Sequence, residues 1–129
     1  LLKNKYYLPV ENPNVVHTNE ISIKIGLDKN KVPVDILWTA DKNDGSAEHQ
    51  TCKAILLSLF DGVHQETLKI DLWTKDMMVS EMDRFMFQTL RALSETYFKA
   101  SQNTALANEM QRFVQYFGEK TEVITPEKP

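Results

Sequence analysis

The stretch C-K-A-I-L-L-S-L-F-D, Cys52 to Asp61, decides how the rest of the sequence is read. Its apolar core, Ala54 to Phe60, has neither helical spacing nor strict alternation, so on its own it fits a buried helix turn or a strand. The residues downstream resolve it. Asp61-Gly62 opens a short loop, and Thr67 to Thr74 alternates, with Leu68, Ile70 and Leu72 on one face. Two such runs around a loop that begins with Asp-Gly predict a β-hairpin with a slightly extended turn.

Working toward the N-terminus, I-S-I-K-I-G-L (Ile21 to Leu27) alternates strictly and reads as a strand with Ile21, Ile23, Ile25 and Leu27 on one face. Asp28 to Pro33 makes the turn, with Asp28 and Asn30 as its formers. Val34 to Thr39 is the next strand, presenting Val34, Ile36 and Trp38. Asp41 to Gln50 reads as the longest internal loop. Working toward the C-terminus, the period lengthens after Lys75-Asp76. Met82, Phe85, Met86, Thr89, Leu90, Leu93, Tyr97 and Ala100 fall three or four apart and predict an amphipathic helix entered through an Asp76 cap. A second helix runs from about Thr104 to Phe117, with Asn103 as its N-cap and Leu106, Met110, Phe113, Val114 and Phe117 inward. The expected fold is therefore α+β: a four-stranded antiparallel meander sheet followed by two C-terminal helices packed on one face. Residues 1–18 read as an N-terminal arm, 19–120 as one domain and 121–129 as a frayed tail.

Composition narrows the function. The chain has 129 residues, 42% hydrophobic and 26% charged, with Gly and Pro at nine positions, which excludes disordered and low-complexity classes. A net charge of −3 offers no field to phosphate backbones or anionic lipid, so neither nucleic acid nor a membrane surface is an expected partner. No apolar stretch is long enough for membrane insertion. The single cysteine, Cys52, excludes an internal disulfide and fits a reducing compartment, hence a cytoplasmic reading.

Candidate chemistry is sparse. His17, His49 and His64 lie in the arm, a loop and a hairpin turn, without partners at helical or strand spacing. Cys52 has no adjacent base that would make it a nucleophile. Asp28-Lys29-Asn30 opens like a calcium loop, but Pro33 stands where Gly is required and Thr39 where a bidentate Glu is required. Lys69 and Asp71 read as a solvated pair, and the four Met at 77, 78, 82 and 86 as core and helix entry. The four glycines are scattered, so there is no phosphate loop. The expectation is no enzyme, no cofactor and no metal.

A surplus of apolar side chains remains. The third run is apolar on both faces, so either Ile55, Leu57 and Leu59 or Ala54, Leu56 and Phe60 must point away from the helices, together with Leu37 and Trp73. The candidate interface is Leu37, Ile55, Leu57, Leu59 and Trp73. Such a patch exposes on the order of 400 Å² of apolar area, at the limit for soluble monomers. Its burial is worth up to about 10 kcal/mol per protomer, comparable to the cost of association. A homo-oligomer, with a dimer favoured, is the expected cover; the alternatives are the arm, through Tyr6, Tyr7 and Leu8, and a different protein.

Several strings carry a family resemblance: E-I-S-I-K-I-G-L-D-K-N-K-V-P (20 to 33), C-K-A-I-L-L-S-L-F-D (52 to 61), T-L-K-I-D-L-W-T-K-D-M (67 to 77), F-x-x-Q-T-L (85 to 90) and M-x-x-F-x-x-Y-F-G-E-K (110 to 120). From about Asn19 to Lys120 the chain resembles the gliding-motility protein family GldC of Bacteroidota. The resemblance implies a small accessory protein of gliding and type IX secretion, acting from the cytoplasm with no known catalytic activity, so partners would be motility or secretion proteins. The arm lies beyond where family members are expected to begin, and Met78 stands where Pro is expected at the helix entry. Two rival readings are a chaperone-like holdase for secretion or motility components, and a small-ligand site near Trp73, Asp71 and Lys75.

Overall fold

The computed structural model describes residues 11–42 and 47–126. Five strands precede two helices: β1 (Ile21–Leu27), β2 (Pro33–Asp41), β3 (Ala47–Cys52), β4 (Ala54–Asp61), β5 (Glu66–Trp73), α1 (Val79–Ser101) and α2 (Thr104–Lys120). The class is α+β. The chain divides between Thr74 and Lys75 into two compact units, one of strands and one of helices.

The expected single four-stranded meander is corrected to two antiparallel sheets, β1-β2-β3 and β4-β5. The difference lies in the third run. Residues 47–50, read as loop, extend the third run backward as β3, which pairs with β2, Ile36 opposite Cys52 and Thr39 opposite His49. Lys53 is a bend, after which the same run continues as β4 and pairs with β5 instead. Polar residues such as His49, Gln50 and Thr51 give no apolar alternation, yet cross-strand pairing accepts them: the Thr39 hydroxyl and His49 Nδ1 lie 3.2 Å apart. At the corner the Thr74 N–H donates to the Lys53 carbonyl at 2.8 Å.

Local chemistry sets the turns. Asp28 Oδ1 accepts from the N–H groups of Asn30 and Val32, at 2.8 and 3.1 Å, while Lys31 takes the left-handed conformation at φ 62°. The predicted role of Asp28 holds, and its carboxylate is engaged by the turn itself. β1 carries an irregularity at Gly26/Leu27, and a Cβ on Gly26 would lie 3.2 Å from that of Asp35, so a side chain there would crowd the partner strand. Ile36, in the central strand between Ile25 and Cys52, is fully buried.

In the helical unit, α1 starts two residues later than the Asp76 cap predicts. Met78 is the N-cap, and its N–H donates to Glu81 Oε1 at 3.0 Å, so an acidic side chain in the first turn satisfies an otherwise orphaned donor. Gln102, at φ 57°, ends α1 with its N–H on the Phe98 carbonyl. Asn103 caps α2 as predicted, its Oδ1 accepting from the Leu106 N–H at 3.0 Å. The buried seam of the hairpin is Phe87 and Ser94 on α1 with Ala107, Val114 and Gly118 on α2. Val114 lies inward as expected, whereas three other residues of the expected inward sets do not: Leu93 is 52%, Leu106 48% and Phe113 53% exposed. Close helix pairing selects small residues at the contact line, whereas apolar periodicity is dominated by the large side chains that flank it. Residues 121–124, read as tail, turn back on α2, with Glu122 at φ 61° and the Ile124 N–H on the Gly118 carbonyl at 3.2 Å. Among the described residues, no helix is long and apolar enough to cross a membrane.

Candidate functional site

The β4–β5 hairpin holds most of the residues singled out from the sequence. Its turn is built by Asp61: Oδ1 accepts from the Val63 N–H at 2.9 Å, Oδ2 meets His64 Nδ1, and the carbonyl accepts from the Gln65 N–H at 2.8 Å. The His64 hydrogen bond, and then the Val63 N–H, hold the Asp61 carboxyl below the usual carboxylate range. Gln65, at φ 57°, supplies the left-handed residue. Gly62 does not, although Asp-Gly was the signal that revealed the turn.

This turn pairs Asp61 with Glu66, which fixes the faces of both strands. Ile55 lies opposite Leu72, Leu57 opposite Ile70 and Leu59 opposite Leu68, making one wholly aliphatic face. Leu59, Leu68 and Ile70 are 51%, 61% and 40% exposed, and the other three are half-buried. On the reverse face Ala54 pairs with Trp73, Leu56 with Asp71, Ser58 with Lys69 and Phe60 with Thr67. Lys69 Nζ sits 3.1 Å from Asp71 Oδ2 along the same strand, both exposed.

The predicted residues are therefore separated. Ile55, Leu57 and Leu59 come together; Trp73 stands on the opposite face of the same hairpin, and Leu37 belongs to the other sheet, between Lys24 and Thr51 in the register. Sequence reasoning placed Leu68, Ile70 and Leu72 on one face of their strand but missed them as companions of Ile55, Leu57 and Leu59. The loop length carried the signal. Four residues between Asp61 and Glu66 pair odd positions with even ones, and that parity puts the two aliphatic sets on one side. The alternative cover through Tyr6, Tyr7 and Leu8 lies outside the described residues.

A concavity lies in the helical unit, where the end of α1 meets the start of α2. It has a volume of about 350 Å³, with Ser94, Phe98, Ala107 and Gln111 among its walls. Its polar floor is internally satisfied: Ser94 Oγ donates to the Arg91 carbonyl at 2.7 Å and accepts from Gln111 Nε2 at 2.5 Å. Among the described residues no group of three or more His, Cys, Asp or Glu side chains gathers as a metal site. Cys52 is a free, half-buried thiol at the end of β3.

No curated protein and no solved structure matches the chain. Residues 33–123 match the family described as gliding motility-associated protein GldC-like, a match that starts at β2 and takes in β3, the aliphatic hairpin and both helices. Covering well over half of the sequence, it establishes that the chain belongs to the GldC-like family associated with gliding motility.

Proposed function

We propose that this protein is a noncatalytic accessory or adaptor subunit of bacterial gliding motility, linked to type IX secretion. It acts from the cytoplasm through protein–protein contacts and as a homo-oligomer, in its simplest form a dimer. The observation that carries the reading is the aliphatic face of β4 and β5, six side chains with no polar residue among them. A two-stranded sheet is marginal alone, so a face of this composition calls for a cover. The ionisable groups nearby serve structure: His64 holds Asp61 in the turn and Lys69 pairs with Asp71. Family membership supplies the process. The test is cross-linking and co-purification of the tagged chain from a gliding bacterium, with Leu57→Asp as the comparison. Enrichment of a motor or secretion component, lost in the variant, is expected; no such component above background overturns the adaptor role.

A holdase is the second reading. It draws on the same face together with Met78, 60% exposed at the start of a Met-rich helix entry. Suppressed aggregation of an unfolded client at stoichiometric ratio is its expected signature, and failure to suppress it removes the reading.

A further inference from the structure

We propose that two copies of this chain join edge to edge through β5, antiparallel, about a two-fold axis at Ile70. The inference rests on the homo-oligomer part of the reading above but places self-association on the β5 edge, in a stated register, and leaves the aliphatic face to the protein partner. Among the described residues β5 has β4 as its strand partner on one side, and every residue from Glu66 to Asp71 is exposed. The strand is eight residues long and contains no Pro, Gly or register irregularity; charges also blunt edges, but here Lys69 and Asp71 are of opposite sign and can pair across a two-fold axis instead of repelling. β1, by contrast, carries an irregularity at Gly26/Leu27.

The sequence of β5 is complementary to itself. In L-K-I-D-L, Leu68 to Leu72, an antiparallel pairing centred on Ile70 sets Ile70 against its own copy, Leu68 against Leu72, and Lys69 against Asp71. The two-fold axis repeats each of these contacts. Neighbouring registers are penalised. Moving the axis one residue either way opposes Lys69 to Lys69 or Asp71 to Asp71, and placing it between residues sets charged positions against aliphatic ones. The Lys69–Asp71 contact within one strand is solvent-exposed, so little is lost when the two charges turn to the second copy. The product is a four-stranded sheet, β4-β5-β5-β4, whose aliphatic face is continuous across the axis.

Charge inversion tests the register. K69D carries two acids on this edge and D71K two bases, so each variant repels its own copy, whereas one of each restores both cross-strand pairs. With folding checked by circular dichroism, wild type is expected to be dimeric by light scattering at micromolar concentration. Each variant alone should dimerise at least about tenfold more weakly, and their mixture should regain the heterodimer. Independently, in a C52S background, I70C should form an intermolecular disulfide, because residues at the axis have Cα atoms about 4.5 to 5.5 Å apart. L68C should cross-link to L72C and not to itself. A monomeric wild type refutes the register and the homo-oligomer together. A dimer that ignores the charge swap and leaves I70C uncrosslinked refutes the β5 edge and leaves both the oligomer and the adaptor role standing.

Discussion

Gly118→Ala sets two well-defined effects against each other. Alanine is the better helix former by about 1 kcal/mol, so an exposed glycine at this point of α2 would gain from the change. Gly118 is buried, however, and a Cβ there would lie 2.5 and 2.8 Å from Cε1 and Cδ1 of Phe87 and 2.8 Å from Cγ1 of Ile124. Carbon atoms rest about 3.5 to 4.0 Å apart, so the Phe87 ring must withdraw by roughly 1 Å. It has little room to do so, being 6% exposed with the Arg91 guanidinium 5.5 Å from its ring centroid. Overpacking of this kind costs about 1 to 3 kcal/mol, which exceeds the propensity gain. The expected net result is a loss of about 1 kcal/mol, read as a lower urea midpoint by far-ultraviolet circular dichroism. A double-mutant cycle with Phe87→Leu isolates the clash. With the ring removed, Gly118→Ala should destabilise less, the Ile124 contact remaining, and the cycle should give a coupling of about 1 kcal/mol. A raised midpoint in the single variant, or strict additivity in the cycle, refutes the close packing of α2 on Phe87.

Asn103→Ala removes the acceptor for the Leu106 N–H and should lower stability by about 0.5 to 2 kcal/mol, measured by the same unfolding curve. In the β4–β5 turn, Gln65→Gly should stabilise by a few tenths of a kcal/mol or more because it relieves a left-handed side chain, while a destabilised Gln65→Gly hairpin would contradict that geometry. Gly62, with open space around its would-be Cβ, should accept Ala without loss, as seen in an unchanged thermal midpoint. Asp61 has a depressed folded-state pKa, so its contribution is present above the unfolded value near about 3.9 and is lost as pH falls through the folded value. Asp61→Asn should flatten that acid limb in an unfolding series from neutral to strongly acidic pH.

Elements with a clean period are legible in the sequence. β1, β2, β5 and both helices lie where alternation or 3.6-residue spacing places them, and Asn103 and Asp28 do the local work their chemistry suggests. β3 was not legible, because a strand paired through Thr51, Gln50 and His49 has no apolar signature and is defined by its partner β2. The helix seam was misread for a related reason: Ala107, Gly118 and Ser94 carry little hydrophobic weight yet mark where two backbones come together. At the candidate site the aliphatic content was visible, but its geometry depended on the turn. Counting four loop residues would have joined Ile55, Leu57 and Leu59 to Leu72, Ile70 and Leu68 and set Trp73 apart.

The corner at Lys53 has a mechanical meaning. Because the Thr74 N–H bonds the Lys53 carbonyl, the chain enters and leaves the β4–β5 hairpin at one point, on its way from the first sheet to the helical unit. A pull applied between Lys53 and Thr74 loads that 2.8 Å bond directly. Beyond it the load runs across the β4–β5 ladder in the direction that parts its rungs one at a time, not along the strands where all would resist together. The hairpin is thus loaded in the geometry in which its ladder parts progressively.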